Sequence, residues 1–167
     1  YLFGGLREWD GGSAVSKVTM RYDPVFDEVN ASLAQMPGPR YRFGVSCVHD
    51  RFCVLAGGYE EEGGDPVDTV VVYDVEQDVF VEGPSLSIAR GDVASAAVDD
   101  AVYVIGGYGV GFDMSESGRL VERLEIGEDG AMGAWEEVAR MPTSRGDCVA
   151  SAFGDHIYVV GGWNEED

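Results

Sequence analysis

Three arginines carry the first chemical signal. Arg40, Arg90 and Arg145 open the stretches "RYRFG", "RGDVASA" and "RGDCVASA". A guanidinium presents a planar fork of donors that matches a carboxylate. Two of the three continue as Arg-Gly-Asp, the tripeptide that adhesion receptors read on exposed loops. Either an adhesion ligand occurs twice, or a larger unit repeats. Carboxylates supply the complementary charge: Glu60, Glu61 and Glu62 form one run, Glu165, Glu166 and Asp167 another, both shortly after a glycine doublet. Catalytic chemistry is poorly provided for. His49 and His156 stand apart from any metal-like cluster, and no Ser/His/Asp or Cys/His set can be assembled. The Gly-rich "GGYGVGFDMSESG" lacks the strand-to-helix setting of a phosphate loop. The sequence points to no cofactor and no metal.

Composition narrows the partners. The 31 acids and 11 bases give a net charge of −20. Such a chain repels nucleic acid and anionic membrane, and suits a basic partner, cations or a saline milieu; solubility is the plainer reading. No apolar run approaches the ~20 residues of a membrane helix, so no membrane insertion is expected. Cys47, Cys53 and Cys148 are odd in number and fit no zinc spacing. Cys47 and Cys53 flank a tight turn and could face each other across a hairpin. The expectation is nonetheless three buried thiols, and with them a reducing, cytoplasmic setting.

The elements that must position these groups recur with a period near 50 residues. Arg90 lies 16 residues before Gly106, and Arg145 lies 16 before Gly161. Arg40 lies 16 before Ala56, so this register gives Ala56-Gly57 the doublet position and makes Gly58 an extra residue. Met36, Leu86 and Met141 each stand four before the Arg, and Phe80 and Trp135 ten before it. Each unit reads as four strands. A small apolar strand ("VASAAV", "CVASAF") and a polar turn lead to a bulky strand ("VYVI", "IYVV") that ends on the doublet. A variable loop, a third strand ("TVVVYDV") and a fourth ("VFVE", "AWEEV") follow. No segment holds a helical period. Four-stranded sheets repeated radially make a propeller, whose crowded inner strands require Gly, Ala, Ser and Val.

These motifs resemble kelch repeats: the doublet after an apolar strand ("IYVVGG"), the Tyr of strand three, the Trp of strand four and "MPxxR" share one register across the whole chain. The resemblance implies an all-β propeller of four-stranded antiparallel blades. Asn30 in the Trp position, Leu86-Ser87 in place of Met-Pro and Ala56 in place of Gly depart from the pattern. About half a ring is expected: a partial blade at 1–39, blades at 40–89 and 90–144, and a partial blade at 145–167. The remaining blades would come from the rest of the same chain or from a companion chain.

Loops after strands two and four leave from one edge of such a ring. Arg40, Arg90 and Arg145 are therefore expected near the axis of that face, with Glu60, Glu61, Glu62, Glu165 and Glu166 as an acidic rim. In kelch adaptors that recruit substrates to ubiquitin ligases, arginines of this motif line a central pocket for acidic segments. The resemblance thus implies a non-catalytic module that binds a protein or peptide. Internal pairing of the arginines with Asp92, Asp147 or a loop carboxylate is the structural alternative. A sugar epimerase-like propeller and a structural subunit of a large assembly are the alternative functions.

Overall fold

The computed structural model describes residues 1–164. Its strands follow the repeat. β1 (Leu2–Phe3) leads into a projecting hairpin of β2 (Leu6–Trp9) and β3 (Gly12–Val15), and then β4 (Thr19–Asp23) and β5 (Glu28–Asn30) complete a sheet in the order β1-β4-β5. A full antiparallel sheet comes next, made of β6 (Gly44–Val48), β7 (Phe52–Ala56), β8 (Val70–Asp74) and β9 (Val79–Glu82) in sequence order. A second holds β10 (Ala94–Val98), β11 (Ala101–Ile105), β12 (Val121–Glu125) and β13 (Glu136–Glu137). The hairpin of β14 (Val149–Phe153) and β15 (His156–Val160) ends the series. A three-residue 3-10 turn spans Val110–Phe112. Among the described residues no helix is long and apolar enough to cross a membrane.

Neighbouring sheets meet through their first strands, β6 against β10 and β10 against β14, so these strands lie innermost. Their small residues follow from that. A β-carbon on Gly44 would sit 3.0 Å from the Ser95 side chain, and Ser46 and Ser95 share a hydrogen bond of 2.7 Å. The core lies between blades. Val54, Ala56, Val70 and Val72 face Val102, Val104, Leu124 and Ile126 of the next blade, with Trp135 packed against the cluster. Cys53, Leu55, Val71 and Tyr73 face the preceding blade, where Phe3, Met36 and Phe80 fill the gap. β7 is therefore buried along its whole length.

The recurring Tyr-Asp pair folds the turn between strands three and four. Asp74 Oδ1 accepts the amides of Glu76 and Gln77, and Tyr73 donates its hydroxyl to Asp78 at 2.7 Å. Asp23, Tyr22 and Asp27 repeat the arrangement in the first blade.

Two expectations are corrected. The additional residue of the second unit lies in the inner hairpin and not at the doublet. Val48 pairs with Phe52 across three turn residues, whereas Val98 pairs with Ala101, and Phe153 with His156, across two. Gly57-Gly58 is thus the true equivalent of Gly106-Gly107 and Gly161-Gly162, with positive φ throughout (67 and 86°, 62 and 98°, 67 and 86°). The cysteines are not three thiols either. Cys47 and Cys53 are direct cross-strand partners, 4.0 Å apart at Cα, and form a disulfide, while Cys148 is free and buried. With two of its three cysteines joined, the chain gives no sign of a reducing compartment through its thiols.

Candidate functional site

The motif arginine ties consecutive blades together. Its carbonyl receives the doublet of the blade before: Gly58 N donates to Arg90 O at 2.9 Å, and Gly107 N to Arg145 O at 2.9 Å. Its side chain donates into the doublet of its own blade: Arg40 Nη1 to Gly57 O, Arg90 Nη1 to Gly106 O and Arg145 Nη1 to Gly161 O, at 3.1, 3.1 and 2.7 Å. The incoming carbonyl also explains the glycine, since a β-carbon on Gly57 or Gly106 would collide with it.

Arg90 is fully enclosed, at 0% exposure. Its guanidinium donates to Gly106 O, Leu120 O and Val104 O, and pairs with Glu122 Oε2 at 2.7 Å. Burial pushes its pKa down to about 10, against the pull of Glu122, so it stays cationic at neutral pH. Arg40 is buried too. It donates to Thr69 O at 2.7 Å and Thr69 Oγ1 at 2.6 Å, with Glu60 3.5 Å away. Burial again lowers its pKa and Glu60 partly restores it. Arg145 is half-buried. The side chains of Arg40 and Arg90 are thus turned into their blades, and their partners are carbonyls, Glu122 and Glu60 in place of Asp92 and Asp147.

The position two residues after each arginine faces the axis instead. Arg42, Asp92 and Asp147 all hold left-handed backbone, with φ of 54, 52 and 53°. Asp92 N donates to Arg42 O at 2.8 Å, and Asp147 N to Asp92 O at 3.1 Å, so the three follow one another around the ring. Arg42 Nη1 meets Asp92 Oδ1 at 3.0 Å. The tyrosines after the second and third doublets close over this row: Tyr59 donates to Asp92 Oδ2 at 3.0 Å and Tyr108 to Asp147 Oδ2 at 3.3 Å. Burial, then the like charge of Asp147, raises the Asp92 pKa, with Tyr59 and Arg42 opposing. Burial and Asp147 push the Tyr108 hydroxyl up to about 12. Arg42 is exposed, and Asp92 beneath it is buried.

Glu60, Glu61 and Glu62 are exposed on the neighbouring loop, where Ser13 of the β2–β3 hairpin donates to Glu62. Glu165 and Glu166 lie outside the described residues. Among the described residues no group of three or more His, Cys, Asp or Glu side chains could hold a metal. His49 sits at the other end of the blade, 2.7 Å from Ile126 O. Sequence reasoning did not single out Arg42, Tyr59, Tyr108 or Glu122. The available signal was the aromatic directly after the doublet, Tyr59, Tyr108 and Trp163 in successive units, paired with a fixed position in the next unit.

No family model matches the chain. Curated relatives do. Kelch-like protein 23 of Homo sapiens is 31% identical over 123 residues, covering 74% of this chain and 20% of that protein. An F-box/kelch-repeat protein of Arabidopsis thaliana is 33% identical over 134 residues, 79% of this chain and 34% of that one. Kelch repeat and BTB domain-containing protein 2 of ectromelia virus is 31% identical over 127 residues, with coverage of 72% and 20%. The chain therefore spans a fifth to a third of the length of these relatives. The solved structure of YjhT superposes with a TM-score of 0.76 over 96% of this chain and 54% of its own, at 14% identity, which is a likeness of fold.

Proposed function

Since this chain belongs to the kelch-repeat β-propellers, we propose that it is a protein-binding module whose partner segment docks on the loop face, over the axial row of Arg42, Asp92 and Asp147. The supporting observation is the convergence itself. Three successive repeats deliver a cation, two carboxylates and two phenols into one hydrogen-bonded row, with the Arg42 guanidinium at its exposed end. Such a row offers donors and acceptors in a fixed order, which selects a segment by its pattern of charge. Arg145, the half-buried motif arginine, and the Glu60–Glu62 rim border the same face. Arg40 and Arg90 serve it by holding the doublets and their loops. Relatives whose names carry F-box or BTB domains support a finer reading, in which the complete protein presents its captured partner to a ubiquitin ligase.

The test compares the full-length protein, purified from its own cells, with Arg42→Ala and Asp147→Asn. Co-purifying proteins are quantified by mass spectrometry, and circular dichroism verifies the fold. A principal partner should fall at least tenfold in both variants. Equal recovery from both overturns the axial site. Ubiquitin attached to that partner only when the full-length protein is present supports the adaptor reading, and its absence removes it.

A further inference from the structure

Arg40 and Arg90 occupy the same place in successive repeats, yet their surroundings differ at two positions. Beside Arg90, Glu122 fills the interior: Oε2 pairs with the guanidinium at 2.7 Å, and Oε1 accepts the Ser87 amide at 3.0 Å. One repeat earlier, Val71 stands where Glu122 does. Leu55 pairs with Val71 two residues before its doublet, as Val104 pairs with Glu122. Pro37 stands where Ser87 does, three residues before the arginine, and has no amide proton to offer. Carboxylate and donor are absent together. An open cleft of about 290 Å³ is found there, beside Arg40.

Met36, Val70 and Val71 give this cleft an apolar lining, and Glu60 and Glu82 line it as well. Arg40 is already engaged by Gly57 O, Thr69 O and Thr69 Oγ1. One guanidinium against two carboxylates leaves a negative charge in excess. A further carboxylate would add to that excess, whereas a cation neutralises it. The volume is at the small end of ligand pockets, about 300–1,000 Å³, and suits one side chain.

We propose that this cleft receives a lysine or arginine side chain of a protein partner, its aliphatic stem against Met36, Val70 and Val71 and its charged head by Glu60 and Glu82. Long cationic side chains bind in this way, stem on apolar surface and head among polar groups. The net charge of −20 draws such partners in. The cleft shares no residue with the axial row and stands whether or not that row binds a segment.

The probe is agmatine, a guanidinium on a four-carbon chain, titrated at low salt into ¹⁵N-labelled protein. Saturable amide shifts are expected at Val70, Val71, Gly83 and Ser85. Glu82→Gln should weaken the apparent affinity at least fivefold, and Glu136→Gln, on the outer strand of the next blade, should leave it unchanged. Val71→Glu should abolish the shifts by filling the cleft with its own side chain, as Glu122 fills the space beside Arg90. Glu82 is exposed, so its variant keeps the test decisive even if Val71→Glu fails to fold. No saturable shift at these amides, an equal loss in Glu136→Gln, or saturable binding of glutarate at the same amides overturns the proposal.

Discussion

Gly91 lies directly beneath Tyr59: the phenol ring fills the place of a β-carbon on Gly91, and its hydroxyl reaches on to Asp92 at 3.0 Å. Gly146 and Tyr108 repeat the relationship in the next blade. Each letter of the Arg-Gly-Asp triplet thus has its own cause. The Arg ties two doublets, the Gly admits a tyrosine ring, and the Asp accepts its hydroxyl. In the first unit Tyr41 replaces the glycine, where the residue after the preceding doublet is Leu6. With Arg90 fully buried, the first triplet offers no adhesion ligand.

Gly91→Ala should therefore destabilise the protein by about 1–3 kcal/mol, the usual cost of forcing atoms into a filled site. Gly38 has open space at the same atom and no positive φ, so Gly38→Ala should stay within about 0.5 kcal/mol of wild type. Urea denaturation of the two variants checks the contrast. Equal midpoints would remove the packing argument.

Glu122→Gln leaves the Arg90 charge buried without its carboxylate, a loss of about 3–5 kcal/mol. Replacing both residues by apolar ones, Arg90→Met with Glu122→Leu, should cost less than Glu122→Gln by itself, because no unpaired charge remains. A double-mutant cycle measures this. Additive losses would show that the two side chains act separately.

The Asp92 carboxyl has its pKa raised in the folded state, by burial first and by Asp147 second. The folded chain then holds this proton more readily than the unfolded chain. Ionising Asp92 costs folding stability, so its contribution improves as pH falls into the carboxylate range and is lost as pH rises through the folded pKa. Relative to Asp92→Asn, the wild type should gain stability between pH 7 and pH 4.5. Urea midpoints at the two values test the sign, and a relative loss on acidification would reverse it.

The disulfide joins residues six apart in sequence, a short loop whose closure is worth about 2 kcal/mol. Reduction should lower the melting temperature by several degrees without unfolding the blade. Under denaturing conditions an alkylating reagent should mark one cysteine before reduction and three after it. Three marked at once would show that Cys47 and Cys53 are unpaired.

Inner strands, doublets and interblade aromatics were legible in the chain because each is a local pattern repeated under one geometry. The small residues of "VASAA" are set by crowding at the ring's centre, and Phe80 and Trp135 by a gap that recurs. The doublet register misled at one place. A count from Arg40 cannot tell a residue added in the hairpin from one added at the glycines, and strand pairing does.

The unit and its repetition follow from the order of residues alone, since alternation, turns and glycine demands are fixed within some tens of residues. Where each charge points was decided by the tertiary structure. Arg90 looks into its blade because Glu122, 32 residues later, waits there with the carbonyls, while Arg42 looks to the axis because Asp92, 50 residues later, faces it. Those partners come from different strands and different repeats. A side chain's direction follows the lowest-energy partner in space, and spacing along the chain does not record it.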